Sequence, residues 1–581
     1  MHNLKKSDEI AECFNSYFAT ITETLDIEQA PTSDIIKPSP HPVFEAIQKF
    51  RSHPSVIKIR QMAEENTVFQ FRRFESAEVW DEINSLDVSK KTSGDLPAHI
   101  LKLTSDLSFS AVTKLANEMV EQCIFPEKLK LADVSPVFKN GDATVKKNFR
   151  PISVLSSLSK VFERLLLKQI LPFIEKKLSS ILCAFKKGHS TQHALFRVIE
   201  VVRRCVDKGG VTAMVLMDLS KAYDCLPHDL LIAKLEAYGF GIDSLKLIHS
   251  YLTERKQRVK IGSSFSSWKK LSTGVPQGSV LGPLLFNIFI NDFFYAIEHS
   301  QVCNFADDNT IFACGETLDE VAICIEDDMR EAMNWYKRNE MVANPDKFQL
   351  IFFGLKEYHE LCIDIHGNII KMSDTVKLLG VTIDSKLNFN GHIKTICQKT
   401  KNKVRAFSRI ARYLDFQKAS LLYNSFILTN FNYCPLIWMF CGKTANEEVN
   451  RVHKRALRVL LNDFDSTFEE LLHRSEEVTI HVKNLQKLML EVYKCITSGN
   501  PSFLWEFFNR KMLPYNLRIN NLLQLPKTRT NRYGNESLSF WGSMVWNRLP
   551  DKYKAAKSCE EFKMKIRSWR GSGCNCRICI F

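Results

Sequence analysis

No apolar run in the sequence is long enough to cross a bilayer. The most apolar stretch, residues 284–292, is short and interrupted by asparagine, so no membrane partner is expected. The N-terminus lacks the apolar core of a signal peptide: Lys5 and Lys6 are followed by acids and a helical pattern. Cysteine is present at 17 positions, but in an odd number and without a framework spacing. That excludes a disulfide-stapled secreted scaffold and fits reduced, intracellular thiols. No repeat at solenoid periods occurs. Acid is the scarcer charge, 65 Asp+Glu against 79 Lys+Arg, for a formal charge of +14. Such an excess suits an anionic partner, usually a polynucleotide, though over 581 residues it decides little by itself. Hydrophobic content of 45% and charged content of 25% are ordinary for globular chains of several domains.

What is present is best read in chain order. Residues 1–30 predict an amphipathic helix, with Ile10, Cys13, Phe14, Tyr17, Phe18 and Ile21 at helical spacing. Residues 31–43 are proline-rich and read as a linker. Helical pattern runs from Ser76, breaks at residues 90–95 and resumes over 97–125. Residues 132–142 predict a strand with a turn at Asn140-Gly141 and a return over 146–152. Lys139, Lys146, Lys147 and Arg150 make this hairpin basic. It suits a triphosphate clamp or, equally, a solvated surface hairpin. A helix is expected over 155–178.

Residues 211–218 are almost continuously apolar and end in Asp218, the pattern of a buried central strand that displays an acid at its end. Ser220 is expected to start a turn, and a helix runs from His228 to the residues before Gly239. Residues 272–282 form a Gly/Pro loop feeding an apolar helix. There Gln277 can meet a base or sugar, and glycine lets backbone approach a ligand; a plain loop-to-helix joint is the other reading. Next, Asp307 and Asp308 sit at the tip of a short hairpin between apolar runs. Adjacent carboxylates repel and call for a hard divalent cation, most often Mg²⁺, although a polar Asp-Asp turn also occurs without one.

A helix over 318–338, a turn at 344–347, a strand over 348–353 and a strand pair hinged at Gly380 follow. From His392 to about Leu461 the chain is helical and basic, with Phe407, Tyr413, Tyr423 and Tyr433 interleaved. That pattern fits a nucleic-acid-facing surface slightly better than a solvated helix face. The tail carries Cys574, Cys576 and Cys579 in C-x-C-x-x-C spacing. It suits Zn²⁺, but structural zinc takes four ligands and no clear fourth is visible; a disordered thiol-rich tail is the other reading.

The order of these signals is more informative than any one. Acids on a strand end and a hairpin suit two-metal displacement at phosphorus, and the flanking basic regions suit a template-directed polymerase. The chain resembles the reverse transcriptase of non-LTR (LINE-type, Jockey/CR1-like) retrotransposons. The resemblance rests on Val134-Ser-Pro-Val-Phe-Lys139-Asn-Gly-Asp142, Asn148-Phe-Arg150-Pro-Ile-Ser153 and Met217-Asp218-Leu-Ser-Lys-Ala-Tyr223-Asp224. Gly274-Val-Pro-Gln277-Gly278, the run to Asp292, and Phe305-Ala-Asp307-Asp308 complete it.

The resemblance implies an α+β right-hand polymerase of fingers, palm and thumb with a mostly helical C-terminal region. The expected domains are 1–75, an N-terminal extension; 76–210, fingers; 211–390, palm; 391–480, thumb; and 481–581, a basic region with a Cys-rich tail, the reverse transcriptase domain covering about 120–390. By motif, Asp218, Asp307 and Asp308 would bind two Mg²⁺ ions, for which Mn²⁺ can substitute, with the Leu219 carbonyl as an extra ligand. Lys139 and Arg150 would hold phosphates, Gln277 and Gly278 the nucleotide, and Tyr223 would reject a ribose 2′-OH. Lys347 would protonate pyrophosphate, and Leu379-Gly380 would be the primer grip.

The implied reaction extends a DNA primer or target 3′-OH with dNTPs on an RNA template. A catalytically silent binding relic and a maturase-like RNA-binding protein are the alternatives. The expected location is intracellular, in nucleus and cytoplasm. Elements of this kind carry an endonuclease ahead of the polymerase. Here only residues 5–18 resemble the stretch before the polymerase, so target nicking is expected to come from elsewhere. Neither an RNase H constellation nor a complete C-x-x-C-x₄-H-x₄-C knuckle is present.

Overall fold

The computed structural model describes every residue except 1–5, 24, 26, 28, 33–38, 63–66, 95, 357–360, 500, 511–521, 573, 575, 577 and 579–581. Lys5, much of the proline-rich stretch, Asp95 and Cys579 thus lie outside the described residues. The chain forms two compact units, each assembled from three segments. One comprises Met1–Phe185, Asp218–Glu298 and Arg330–Asp346; the other comprises Lys186–Met217, His299–Met329 and Lys347–Phe581.

The first unit contains the basic hairpin. Leu131–Phe138 pairs antiparallel with Phe149–Val154 and parallel with Arg255–Ile261. Phe149–Val154 is the edge strand, where Pro151 forfeits no ladder hydrogen bond. Arg255–Ile261 alternates, burying Arg255, Gln257 and Val259 while exposing Lys256 and Lys260. The helix Ser7–Ala19 lays Ala11, Phe14 and Phe18 against Val134 and Val259. It is shorter than its apolar spacing predicts, because the pattern continues to a buried Ile21 past the helix end. Polar contacts fix it further: Ser267 N–H donates to Glu12 at 2.8 Å, and Asn15 Nδ2 donates to the Ser267 carbonyl at 2.7 Å.

Local differences from expectation have local causes. Pro42 opens the helix Pro42–Lys49, with His41 Nδ1 accepting from Val43 N–H, so the linker ends earlier than its proline content predicts. The helical stretch 97–125 is two helices, Ala98–Leu103 and Ser105–Gln122. Thr104 separates them, bonding its hydroxyl back to the Ile100 carbonyl at 2.9 Å. Ser220 is not a turn residue: Leu219–Ser220 pairs with Val342–Ala343, and the left-handed residue is Lys221 at φ 52°. Ser157–Ile174 forms as expected, started by Ser156, whose hydroxyl accepts from Ser159 N–H.

In the second unit, four antiparallel strands lie in the order Gln349–Phe353, Val211–Met217, Asp308–Gly315, Gln301–Phe305. Val211–Met217 is therefore central, and Ala213 through Met217 are buried without alternation, as a strand covered on both faces requires. Thr191–Asp207 packs on this sheet. Its acids also anchor the C-terminal region. Glu200 accepts from the N–H groups of Leu538 and Ser539 at 2.7 and 3.0 Å, at the start of helix Leu538–Arg548. Asp207 accepts from Arg529 and Thr530 N–H at 3.0 and 2.7 Å.

The basic helices Asn390–Ala411 and Lys443–Leu461 pack on each other. Two of their interleaved aromatics, Phe407 and Tyr423, are buried and serve that packing; Tyr413 and Tyr433 remain exposed. Among the described residues no helix is long and apolar enough to cross a membrane, and the described cysteines form no disulfide.

Candidate active site

The acidic hairpin is built as a two-residue turn. Phe305 pairs with Asp308, leaving Ala306 and Asp307 at the tip, and Ala306 adopts the left-handed region at φ 58°. The preceding pair, Asn304 and Asn309, braces it: Asn304 Nδ2 donates to the Ala306 carbonyl at 2.8 Å and to Asn309 Oδ1 at 2.9 Å. Both asparagines are buried, whereas Asp307 is half-buried and Asp308 exposed. The hairpin thus buries its amides and presents its carboxylates. On the other side of Asp308–Gly315, Met217 pairs with Asn309.

In the same unit, Leu379 and Gly380 form the turn of the hairpin Thr375–Leu378/Val381–Asp384, both at positive φ. Tyr433 Oη donates to the Leu379 carbonyl at 2.6 Å. A Cβ on Gly380 would lie 3.3 Å from the Tyr433 ring. Burial raises the Tyr433 phenol above its ordinary value, and the Asp308 carboxylate adds to that rise. The structure therefore brings Asp308, Tyr433 and the Leu379-Gly380 turn within electrostatic reach of one another. Lys347 ends the short 3₁₀ turn Pro345–Lys347 and is exposed.

In the first unit, Asp218 is half-buried, and its carbonyl accepts from Asn344 N–H at 3.0 Å. Hydrogen-bonded pairs alternate along an antiparallel ladder, so the next pair, Leu219 and Ala343, is a non-bonded one. The Leu219 carbonyl consequently points away from Val342–Ala343. Tyr223 stacks on Phe286, ring centroids 4.4 Å apart at 22°.

The Gly/Pro loop is fastened to its own chain at both glycines. A Cβ on Gly274 would come within 2.6 Å of the Asp224 carbonyl, and one on Gly278 within 2.5 Å of the Ser153 carbonyl. Ser153 N–H also donates to the Gln277 carbonyl at 2.7 Å. The close approach that Gly278 permits is thus to the basic hairpin's own backbone. Gln277 Nε2 donates to both carboxylate oxygens of Asp224 at 2.9 and 3.0 Å. A cavity beside this contact is lined by Pro151, Ser153, Asp224, Thr273 and Gln277. Lys139 and Arg150 are exposed on the hairpin.

Sequence reasoning passed over several residues here. Asp224 orients Gln277. Lys221 is a further cation of the hairpin cluster: burial lowers its ammonium, Asp224 opposes that, and Lys139 and Arg150 add to the lowering. Glu163 is buried and accepts from Ser159 Oγ at 3.1 Å and from the N–H groups of Val280 and Leu281 at 2.6 and 3.1 Å. It thereby holds the end of the Gly/Pro loop. Its signal was an acid among Val161, Phe162, Leu165 and Leu166 on an apolar helix face. Asp224 carried the signal of a second acid in the run after Asp218.

Residues 137–383 match the family described as reverse transcriptase (RNA-dependent DNA polymerase). The chain is 26% identical over 399 residues to a probable RNA-directed DNA polymerase from transposon BS of Drosophila melanogaster, covering 66% of this chain and 44% of that relative. It is 27% identical over 402 residues to the probable RNA-directed DNA polymerase from transposon X-element of the same fly, covering 67% and 44%. With the RNA-directed DNA polymerase from mobile element jockey, also from Drosophila melanogaster, it shares 26% identity over 331 residues, covering 55% and 36%. The chain thus spans less than half the length of these curated relatives. The match places every candidate site residue from Lys139 to Gly380 inside the one region, residues 137–383, that is similar to the reverse transcriptase family.

Proposed function

We propose that the chain is an RNA-directed DNA polymerase of a non-LTR retrotransposon, extending a DNA 3′-OH with dNTPs on an RNA template. The observation that carries this reading is the placement of the acids. Asp307 lies at the tip of a hairpin and Asp308 is the first paired residue after it; the same strand pairs Asn309 with Met217, and Asp218 is the next residue after Met217 in the chain. All three are carboxylates, hard oxygen donors suited to Mg²⁺ or Mn²⁺, and the Leu219 carbonyl is a further oxygen donor next to Asp218 in the chain. Two such ions, when bound, would activate the primer 3′-OH and neutralise charge on the leaving pyrophosphate.

The chain's own groups do the rest. Lys139, Arg150 and Lys221 bind the triphosphate, Arg150 with a guanidinium fork. Gln277, held by Asp224, orients the nucleotide. The Tyr223 ring, kept in place by Phe286, excludes a ribose 2′-OH. Lys347 supplies a proton to pyrophosphate, and the Leu379-Gly380 turn, braced by Tyr433, positions the primer end. The sheet around Val211–Met217 belongs to the palm, 76–210 to the fingers and 391–480 to the thumb, while 481–581 adds contacts to RNA or target DNA.

Tyr223→Ala tests the nucleotide-site assignment. Incorporation of a ribonucleotide relative to its deoxy counterpart should rise at least about tenfold on an RNA template. Unchanged discrimination in a variant that still extends with dNTPs would remove Tyr223 from the site.

A further inference from the structure

Near its C-terminus the chain buries a set of soft ligands that polymerisation does not use. Cys574, Cys576 and His481 are each buried, and one ligand atom from each lies within 4.8 Å of the others. Cys576 Sγ is 3.3 Å from His481 Nε2. His481 is the second residue of helix Ile480–Ser498, and Phe440 meets its ring edge-on at 6.2 Å. The tail is delivered to this point by directional contacts. Gln486 Nε2 donates to the carbonyls of Arg567 and Trp569 at 3.1 and 2.8 Å, and Arg570 donates to the Glu477 carbonyl at 3.1 Å. Gly571 lies against Val482 and Leu485, close enough that a Cβ would sit 3.3 Å from Val482. Cys574 N–H then closes a turn onto the Gly571 carbonyl at 3.2 Å.

We propose that His481, Cys574 and Cys576 bind a structural Zn²⁺ that staples the C-terminal tail to the start of helix Ile480–Ser498. Buried cysteines alone can pack as small hydrophobes. Here they converge on an imidazole, whose Nε2 lies 3.3 Å from the Cys576 sulfur. Two thiolates and an imidazole select zinc, whereas the polymerase acids, all oxygen donors, select Mg²⁺ or Mn²⁺. Binding forms two Zn–S bonds and one Zn–N bond and releases the two thiol protons to solvent. Structural zinc takes a fourth ligand. Three protein ligands leave that position to a water molecule or one further donor.

The test uses the full chain, purified from zinc-supplemented cells and dialysed against Mg²⁺. Elemental analysis should find about one zinc per chain. Cobalt exchanged into the site should show the thiolate charge-transfer and intense visible absorption of a tetrahedral centre. Cys574→Ser combined with Cys576→Ser should lose the zinc, and His481→Ala should weaken it by at least about tenfold. Alkylation followed by mass spectrometry on the parent chain needs no variant. Cys574 and Cys576 should be protected with zinc and labelled after chelation. A folded parent chain without zinc, zinc undiminished in the double variant, or labelling indifferent to chelation would each overturn the proposal.

Discussion

At the scale of single residues, Asp224 links the Gly/Pro loop to the residues after Asp218. Its two oxygens accept the Gln277 amide, and burial raises its carboxyl to about 6 against the opposing pull of Gln277 and Lys221. The folded value exceeds the ordinary 3.8, so the protonated form is the one the fold favours. That contribution to stability is complete below about pH 3.8 and is lost as pH rises through about 6. Asp224→Asn cannot ionise. Its melting temperature relative to the parent should therefore be more favourable at about pH 8 than at about pH 5. A difference independent of pH would show that the carboxyl ionises as freely folded as unfolded. The residue's role was not legible beforehand, because an Asp six positions after Asp218 has nothing local to reveal its partner 53 residues on. By contrast, Asp307 and Asp308 were legible because adjacent acids between apolar runs are costly anywhere but at a turn.

At the scale of elements, periodicity located the strands and helices well and their fastenings poorly. The helix Gly282–Ile290 and its extension to Asp292 read as an apolar run, yet a buried ion pair holds them. Lys234 Nζ lies 2.6 Å from Asp292 Oδ1 and donates to the Phe289 carbonyl at 2.8 Å, while Trp335 Nε1 donates to Asp292 Oδ2 at 2.7 Å. Lys234 is wholly buried on helix His228–Ala237. Nothing local in the pattern names a partner 58 residues away. Asp292→Ala should cost about 3–5 kcal/mol in denaturant unfolding, because it strands a buried ammonium. Lys234→Met with Asp292→Leu should recover most of that loss. A single variant costing under about 1 kcal/mol would mean that the pair is hydrated rather than buried. The same limit explains Thr104 and Ser220. A side-chain bond to the backbone and a two-residue ladder to Val342–Ala343 leave no periodic trace.

At the scale of the whole chain, three buried histidines set the acid limit of stability. Burial lowers His53 and His392 to about 4 and His453 to about 3. Their nitrogens are engaged as neutral rings: His53 with the Arg338 carbonyl and Ser55 N–H, His392 with Thr382 N–H, His453 with Tyr423 Oη. Each folded value lies below the ordinary 6.5, so their stabilisation is present above about pH 6.5 and lost as pH falls toward about 4. Three imidazoles should outweigh the opposite contribution of Asp224. The melting temperature should decline across that window, and less steeply in His453→Gln. A flat profile in the parent would show that these rings protonate without cost.

The polymerase reading assigns its chemistry to Asp218, Asp307 and Asp308. Primer extension by the full chain on an RNA template, with dNTPs and Mg²⁺ and then Mn²⁺, should be compared with Asp307→Asn. The expected result is cDNA from the parent and none from the variant, with folding and primer–template binding unchanged. Equal product from the variant, or none from a folded parent that binds primer–template, would contradict the assignment of polymerase chemistry to Asp218, Asp307 and Asp308.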